Sequence, residues 1–517
     1  MSMPLAATDP VAIPGIDYGA LAPVLIILGA ACVAVLFEAF LPRHQRWPAQ
    51  VALAMLALLA AGISLGVYAS SAPSQGISTI AGAIAVDGPA LFLWGALLAL
   101  SFGAFLLIAD RSVEPGGHFR ADRAYAVGPG TTALPATMQT EVFPLALFAL
   151  GGMMTFCAAN DLLTMFVALE VLSLPLYVMC GLARRRRLIS QEASVKYFLL
   201  GAFASAFFLY GLALLYGYAD SVKLADIANA AAGTNRSDTL LFAGMGLLVV
   251  GLLFKGSVGP FHAWTPDVYE GAPTPMTAFM ASCTKVAAFG GILRVLTVAF
   301  EGTSWEWRGV LWAVAIISML VGAVGALTQV DVKRMIAYSS VAHAGFLLVG
   351  AIAMTQKGLS GTLFYLVAYG FTTMATFAVM TLVRNSDGEA TSLSSWAGLA
   401  KRSPLLAAVF TFLLLALAGI PLTSGFVGKF VVFSAALADG MAPLVVIALI
   451  ASAIAAFFYL RVIVLMYFSE RPSDGPSVSV PGVFTTVAIT IGVAVTLLLG
   501  LWPSFLLSWA TGAFVGG

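Results

Sequence analysis

GLLFKGSVGPFHAWTPDVYEGAPTPMTAFMASCTKVAAF, residues 251–289, decides the fold of this chain. The stretch is apolar enough for hydrocarbon. Yet it carries Lys255, His262 and Lys285, and it is broken by Pro260, Pro266, Pro273 and Pro275. A charged side chain at mid-membrane costs roughly 2.5–3.5 kcal/mol on insertion scales. A broken helix adds backbone N–H and C=O groups that must be met by protein or water. A chain that keeps both features at one depth is using them.

The remaining sequence places that stretch in a bilayer. Of 517 residues, 60% are hydrophobic and 9% charged, with a net charge of +1. The mean hydropathy is +0.98, and soluble domains carry about 25% charged residues. The apolar runs are long and continuous, which predicts an all-α polytopic membrane protein and not a barrel of short alternating strands. The charge balance offers no nucleic-acid surface. Cys32, Cys157, Cys180 and Cys283 fall in or beside apolar runs without CxxC spacing, so neither disulfides nor a metal site is expected. No glycine-rich phosphate loop follows a strand pattern, and no cofactor-binding residues are expected. Residues 1–19 hold Asp9 and Asp17 and no basic residue, unlike a signal peptide.

Fourteen spans are predicted: 20–41, 49–69, 86–108, 142–158, 161–182, 195–219, 239–269, 275–300, 307–329, 333–353, 359–384, 404–438, 441–468 and 484–510. Loops after odd-numbered spans, counted with the boundary residues Lys333, Arg334 and Arg384, hold fifteen Lys and Arg, including the run Arg184–Arg187; loops after even-numbered spans, counted with the boundary residue Arg308, hold four. That bias places the odd loops in the cytoplasm and both termini on the outer side. The loop Arg111–Thr140 is long and rich in Pro and Gly, and 469–481 reads as a connector.

Spans seven and twelve are too long and share a mid-segment Pro and Gly: FKGSVGPFHAWTP and LAGIPLTSGFVGKF. They lie five spans apart, so their orientations are opposite. This predicts two inverted five-helix repeats, each containing a broken helix, with an ion or substrate site near the midplane. The domains read as 1–140 (first helices and loop), 141–300 (first repeat), 301–470 (second repeat) and 471–517 (last helix).

Apart from those boundary residues, six basic residues lie inside spans: Lys196, Lys255, Lys285, Arg294, Lys429 and Arg461. Lysine can be neutral or charged when desolvated, whereas arginine stays protonated. Lys255 and Lys285 therefore read as proton carriers, and the central acid Glu170 as a proton-path or coupling group, with a purely structural ion pair as the alternative. Lys429 follows the Pro421 break and reads as a carrier in the outward half. Lys196, near the cytoplasmic end of its span, reads equally as a carrier or as a snorkelling side chain. Arg294 and Arg461 read as structural. His262 sits in the break at Pro260, either passing protons through water or capping freed carbonyls. Ser339, Ser340 and His343 share one helical face, as a hydrated path or as interhelical hydrogen bonding.

These residues carry a resemblance. FVALEVLSLPLYVMCGL (166–182), EASVKYFLLGAFASAFFLYGLALLYG (192–217), PFHAWTPDVYEGAPTPMTAF (260–279) and DVKRMIAYSSVAHAGFLLVG (331–350) resemble the antiporter-like, proton-translocating membrane subunits of respiratory complex I. That complex is the proton-pumping NADH–quinone oxidoreductase. PDVYEGAPTP followed by the lysine of ASCTKVAAF looks like the family's N type, and Lys429 in place of a glutamate sets it apart from the M type. Loop 111–140 departs from the family's compact pattern. The resemblance implies that Glu170, Lys255, Lys285 and Lys429 form the proton path, with Lys255 the partner of Glu170, Lys196 a further lysine, and His262 and Pro421 on break motifs. It implies sister antiporter-like subunits as partners in a bacterial inner membrane. NADH, FMN, iron–sulfur clusters and quinone would act on other subunits. A subunit of a multisubunit cation/proton antiporter is the alternative, and a structural anchor whose lysines only build ion pairs is a third.

Overall fold

The computed structural model describes residues 15–73, 75–113, 118–119, 139–182, 187–233, 238–385, 388–470 and 476–514. Most of the Arg111–Thr140 loop and Arg184–Arg186 lie outside the described residues.

Every predicted span has a helical counterpart. The first six are Tyr18–Phe40, Arg43–Ser71, Gly88–Ala109, Val142–Ala158, Leu162–Cys180 and Arg187–Ala219. Span seven breaks into Asp238–Lys255 and Trp264–Gly271, joined by a turn with Ser257 at positive φ. Span eight runs from Thr274 to Ala299 and includes π-helical turns at Met280–Thr284 and Val295–Ala299. Spans nine to eleven are Ser304–Leu327, Val332–Ala353 and Gln356–Met380. Span twelve breaks into Pro404–Ala418 and Ser424–Ala438; Ala442–Phe468 follows.

Some boundaries differ from the sequence reading. Span six begins eight residues earlier, at Arg187, because the polar turn 187–194 continues the helix beyond the hydrophobic run. The last span is two helices, Val483–Leu501 and Ser504–Gly512, since Pro503 cannot donate a helical hydrogen bond. The 469–481 connector contributes Ser477–Val478 as a strand beside Val383–Asn385, which also pairs with Gly388–Glu389.

Burial separates the helices into two classes. Spans eight, ten and eleven are enclosed almost completely, whereas spans one, two, six, thirteen and fourteen expose long apolar faces. The hydrophobic effect does not drive one apolar helix onto another within lipid. The enclosed helices are instead those that carry polar side chains: Thr274, Ser282 and Lys285 on span eight, Ser339, Ser340 and His343 on span ten, and Thr372, Thr373 and Thr376 on span eleven.

Buried lysines held by neutral oxygens

Lys255 is the last residue of the first half of span seven. A cation there meets the negative end of the helix dipole. Its Nζ donates to Ser173 Oγ at 2.8 Å and to Tyr197 Oη at 3.1 Å. The Tyr197 ring stacks on Trp264, 4.4 Å away, so the segment after the break fixes the phenol beneath the ammonium.

Lys285 directly follows the π-helical turn Met280–Thr284. Such turns widen a helix and gather at functional sites. Its Nζ donates to the Ser340 carbonyl at 2.6 Å and to Ser340 Oγ at 2.7 Å, and lies 5.3 Å from the Tyr369 ring centroid.

Lys429 reaches back across the second break. Its Nζ donates to the carbonyls of Ala418 at 2.8 Å and Leu417 at 3.2 Å, and to Ser452 Oγ at 3.0 Å. The cation thus meets carbonyls that the end of Pro404–Ala418 leaves without helical partners. Gly419 closes that helix at φ +84°, and a Cβ there would stand 3.0 Å from Lys429 Cδ. Glycine serves both the left-handed turn and the close approach.

His343 lies between the second and third lysines. Its Nδ1 is 2.7 Å from Tyr365 Oη and its Nε2 3.4 Å from Tyr459 Oη. Phe346 touches both sides, 5.7 Å from the histidine ring and 5.1 Å from Lys429 Nζ.

The three lysines share one feature: each ammonium rests on hydroxyl or carbonyl oxygens, not on a carboxylate. Several other buried or half-buried cations are built differently. Arg294 grips Asp87 with both terminal nitrogens, at 2.9 and 2.7 Å. Arg334 bonds Asp267 at 2.7 Å and Glu270 at 2.8 Å. Lys196 bonds Asp267 at 2.6 Å and Glu192 at 2.7 Å. Lys196 therefore belongs to an ion-pair network that ties span six and span ten to the segment after the first break, and it bonds none of the three lysine sites.

The expected contact between Glu170 and Lys255 is absent: no ion pair joins them. Ser173, nearly one turn on from Glu170 along span five, occupies the ammonium instead, and Glu170 acts on Lys255 through space. Glu170 Oε1 is buried without a hydrogen-bond partner. His262 is likewise not joined to Lys255; its Nδ1 has no partner and its ring faces Tyr338, centroids 6.1 Å apart. Arg461 donates to the Leu327 carbonyl at 3.3 Å on the exposed face of span thirteen.

Unpartnered buried hydroxyls stand around the same lysines. Thr284 adjoins Lys285, Tyr369 faces it, Thr373 is one turn from Tyr369, and Ser424 opens the helix that carries Lys429. Buried polar atoms without protein partners are commonly met by ordered water. The sequence reading missed Ser173, Tyr197, Tyr365, Tyr369, Ser452 and Tyr459. Their common signal is a hydroxyl within an apolar run, which many structural positions share.

Known proteins share this sequence and fold. A family profile described as "NADH:quinone oxidoreductase/Mrp antiporter, TM" matches residues 159–455, the part that holds both breaks and all three lysines. A protein of Saccharopolyspora erythraea named NADH-quinone oxidoreductase subunit N is 74% identical, over 98% of this chain and 99% of its own. A chain in the structure of respiratory complex I from Thermus thermophilus with bound aureothin is 33% identical, with TM-score 0.74, covering 94% of this chain and 98% of that one. A chain of the Mrp complex from Dietzia has TM-score 0.81 at 21% identity over 96% of this chain and 97% of its own, which shows the shared fold alone. The chain belongs to the NADH-quinone oxidoreductase subunit N family.

Proposed function

We propose that Lys255, Lys285 and Lys429 carry protons in series, biased by Glu170 and joined between the last two by His343. The chain is a proton-translocating membrane subunit of NADH–quinone oxidoreductase, working beside other antiporter-like membrane subunits.

The observation that carries the residue-level reading is the neutral oxygen environment of the three ammonium groups. A lysine salt-bridged in a dry interior leaves an unpaired carboxylate when it loses its proton, which is costly. A lysine on hydroxyls does not. A hydroxyl accepts from NH₃⁺ and donates to NH₂, so Ser173, Tyr197, Ser340 and Ser452 serve both states by rotating. This same observation argues against the structural-anchor reading.

A proton step then has a simple form. A charge change beside Glu170, arriving from a neighbouring subunit, alters the field at Lys255. Its proton moves by way of water and hydroxyls toward Lys285, and from there past His343 to Lys429. Redox chemistry, with NADH, FMN, iron–sulfur clusters and quinone, takes place on other subunits. The Lys/Arg-rich end of the bundle faces the cytoplasm, both termini lie outside, and the membrane is the bacterial plasma membrane. Residues 141–300 and 301–470 act as the two inverted repeats, each supplying one broken helix.

The test is NADH-driven proton pumping by the reconstituted complex with Lys285→Ala or Glu170→Ala. Assembled variants are expected to lose protons per electron. Normal pumping in both would sink the path.

A further inference from the structure

A second charged cluster lies at the Lys/Arg-rich end, apart from the three lysines. Its centre is Glu389, which is 18% exposed. Glu389 Oε2 accepts from the Thr274 hydroxyl and lies 3.5 Å from Lys333 Nζ. Its Oε1 is 3.9 Å from His118 Nδ1. Arg384 sits opposite Glu389 in the strand register and also acts on it. Lys333 is buried and further donates to the Ala272 carbonyl at 3.1 Å. One carboxylate thus faces a lysine, an arginine and a histidine, which come from span ten, the hairpin after span eleven, and the loop after span three.

The cluster adjoins the foot of every enclosed helix that leads to Lys285. Thr274 is eleven residues before Lys285 on span eight. The helix between them is α-helical over Thr274–Phe279 and π-helical over Met280–Thr284, a few turns in all. Lys333 is seven residues before Ser340, the residue that holds Lys285, which is about two turns along span ten. Span eleven descends from Tyr369 through Thr373 and Thr376, all buried. The hydroxyls of Tyr369 and Thr373 have no partner, so this stretch holds sites for water between the cluster and Lys285.

We propose that the Glu389–His118–Lys333 cluster is the site where cytoplasmic protons are loaded for delivery to Lys285, with His118 as the acceptor and Glu389 as its counter-ion. The proposal rests on the reading of Lys285 as a proton carrier. Burial pushes the Glu389 carboxyl up, but the Lys333 ammonium, then His118, Thr274 and Arg384, outweigh it and hold the group below its ordinary value. Glu389 therefore stays ionised at neutral pH. Lys333 and Arg384 are cations there, and only the imidazole ordinarily titrates between about pH 5 and 8. A proton passes from a cytoplasmic hydronium ion to the neutral imidazole, then through water to a neutral Lys285 amine, and His118 returns to its neutral state.

The experiment uses the whole complex in inside-out vesicles, measuring protons taken up per electron from NADH across about pH 6 to 8, the histidine range. Glu389→Gln and His118→Gln are each expected to lower protons per electron toward the level of Lys285→Ala. His118→Gln is also expected to flatten the pH dependence of pumping. If both variants pump and titrate as the unmodified complex does while Lys285→Ala fails, the loading site is wrong and the Lys285 reading stands. If Lys285→Ala pumps fully, that reading fails instead. Should Glu389→Gln not assemble, the His118→Gln stoichiometry and pH profile decide.

Discussion

The ammonium of Lys429 lies 2.8 Å from the carbonyl oxygen of Ala418, eleven residues back and on the other side of a helix break. The same nitrogen therefore closes a helix end and, in the proposed path, carries a proton. The two roles can be separated. Lys429→Arg keeps a cation for the Leu417 and Ala418 carbonyls but cannot release its proton. It is expected to assemble with near-normal thermal stability and to lose proton pumping. Lys429→Ala loses both, since it also leaves the carbonyls unmet, at a cost of about 1–3 kcal/mol. Melting of the purified complex together with dye-detected pumping separates the variants.

Ser173 stands where a carboxylate was expected to touch Lys255. If Glu170 acts through space and Ser173 through contact, their effects are not redundant. Ser173→Ala removes one of two oxygens on the ammonium and is expected to slow pumping severalfold, whereas Glu170→Gln removes the bias and is expected to uncouple it. A double-mutant cycle on pumping rate checks this: coupling of about 0.5–3 kcal/mol is expected for neighbours in one network, and strict additivity would contradict it.

Tyr369 offers a narrower test. Its ring faces Lys285 while its hydroxyl lacks a partner. Tyr369→Phe keeps the ring and removes one anchoring point for water. Assembly is expected to be unchanged and pumping slowed, with a larger kinetic solvent isotope effect than in the unmodified complex.

Asp110 gives a stability prediction with a definite pH sign. Its carboxylate accepts from the backbone N–H groups of Ser112 at 2.7 Å and Thr485 at 2.9 Å and from both hydroxyls, joining the end of span three to the start of span fourteen. Burial raises its proton affinity, but those four donors prevail and hold it below the ordinary carboxylate range. A group lowered on folding contributes stability above its unfolded value, near pH 4, and that contribution is lost as pH falls through the folded value. Asp110→Ala should destabilise by about 2–4 kcal/mol at pH 7, with unchanged protons per electron, and the difference should shrink on acidification. Thermal melts at a series of pH values measure it.

The spans, both breaks and the three lysines were legible because their signals are local: an apolar run, a proline within it, a charge at its centre. The partners were not. Ser173 and Lys255 are 82 residues apart, and Tyr459 and His343 are 116, and no periodicity reports which helix faces meet at that range. The same limit explains Glu170 and Lys255. Opposite charges on neighbouring spans favour a pairing, but side-chain reach and a competing serine decide it. Lys196 followed the opposite course. Its position near a span end left two readings open, and the acids that claim it, Asp267 and Glu192, come from another span and from its own helix, one turn back.

Glu170 has one more consequence, for how the subunit comes to exist. It is only half-buried, on the face of span five that also exposes Leu163, Val167, Leu174 and Val178. A newly inserted, unassembled copy presents that acid to lipid, at an expense of the order of 2.5–3.5 kcal/mol. A membrane subunit docked over this face would relieve it. The acid proposed to bias proton movement would thus also favour the assembled subunit over the lone one, through a single side chain.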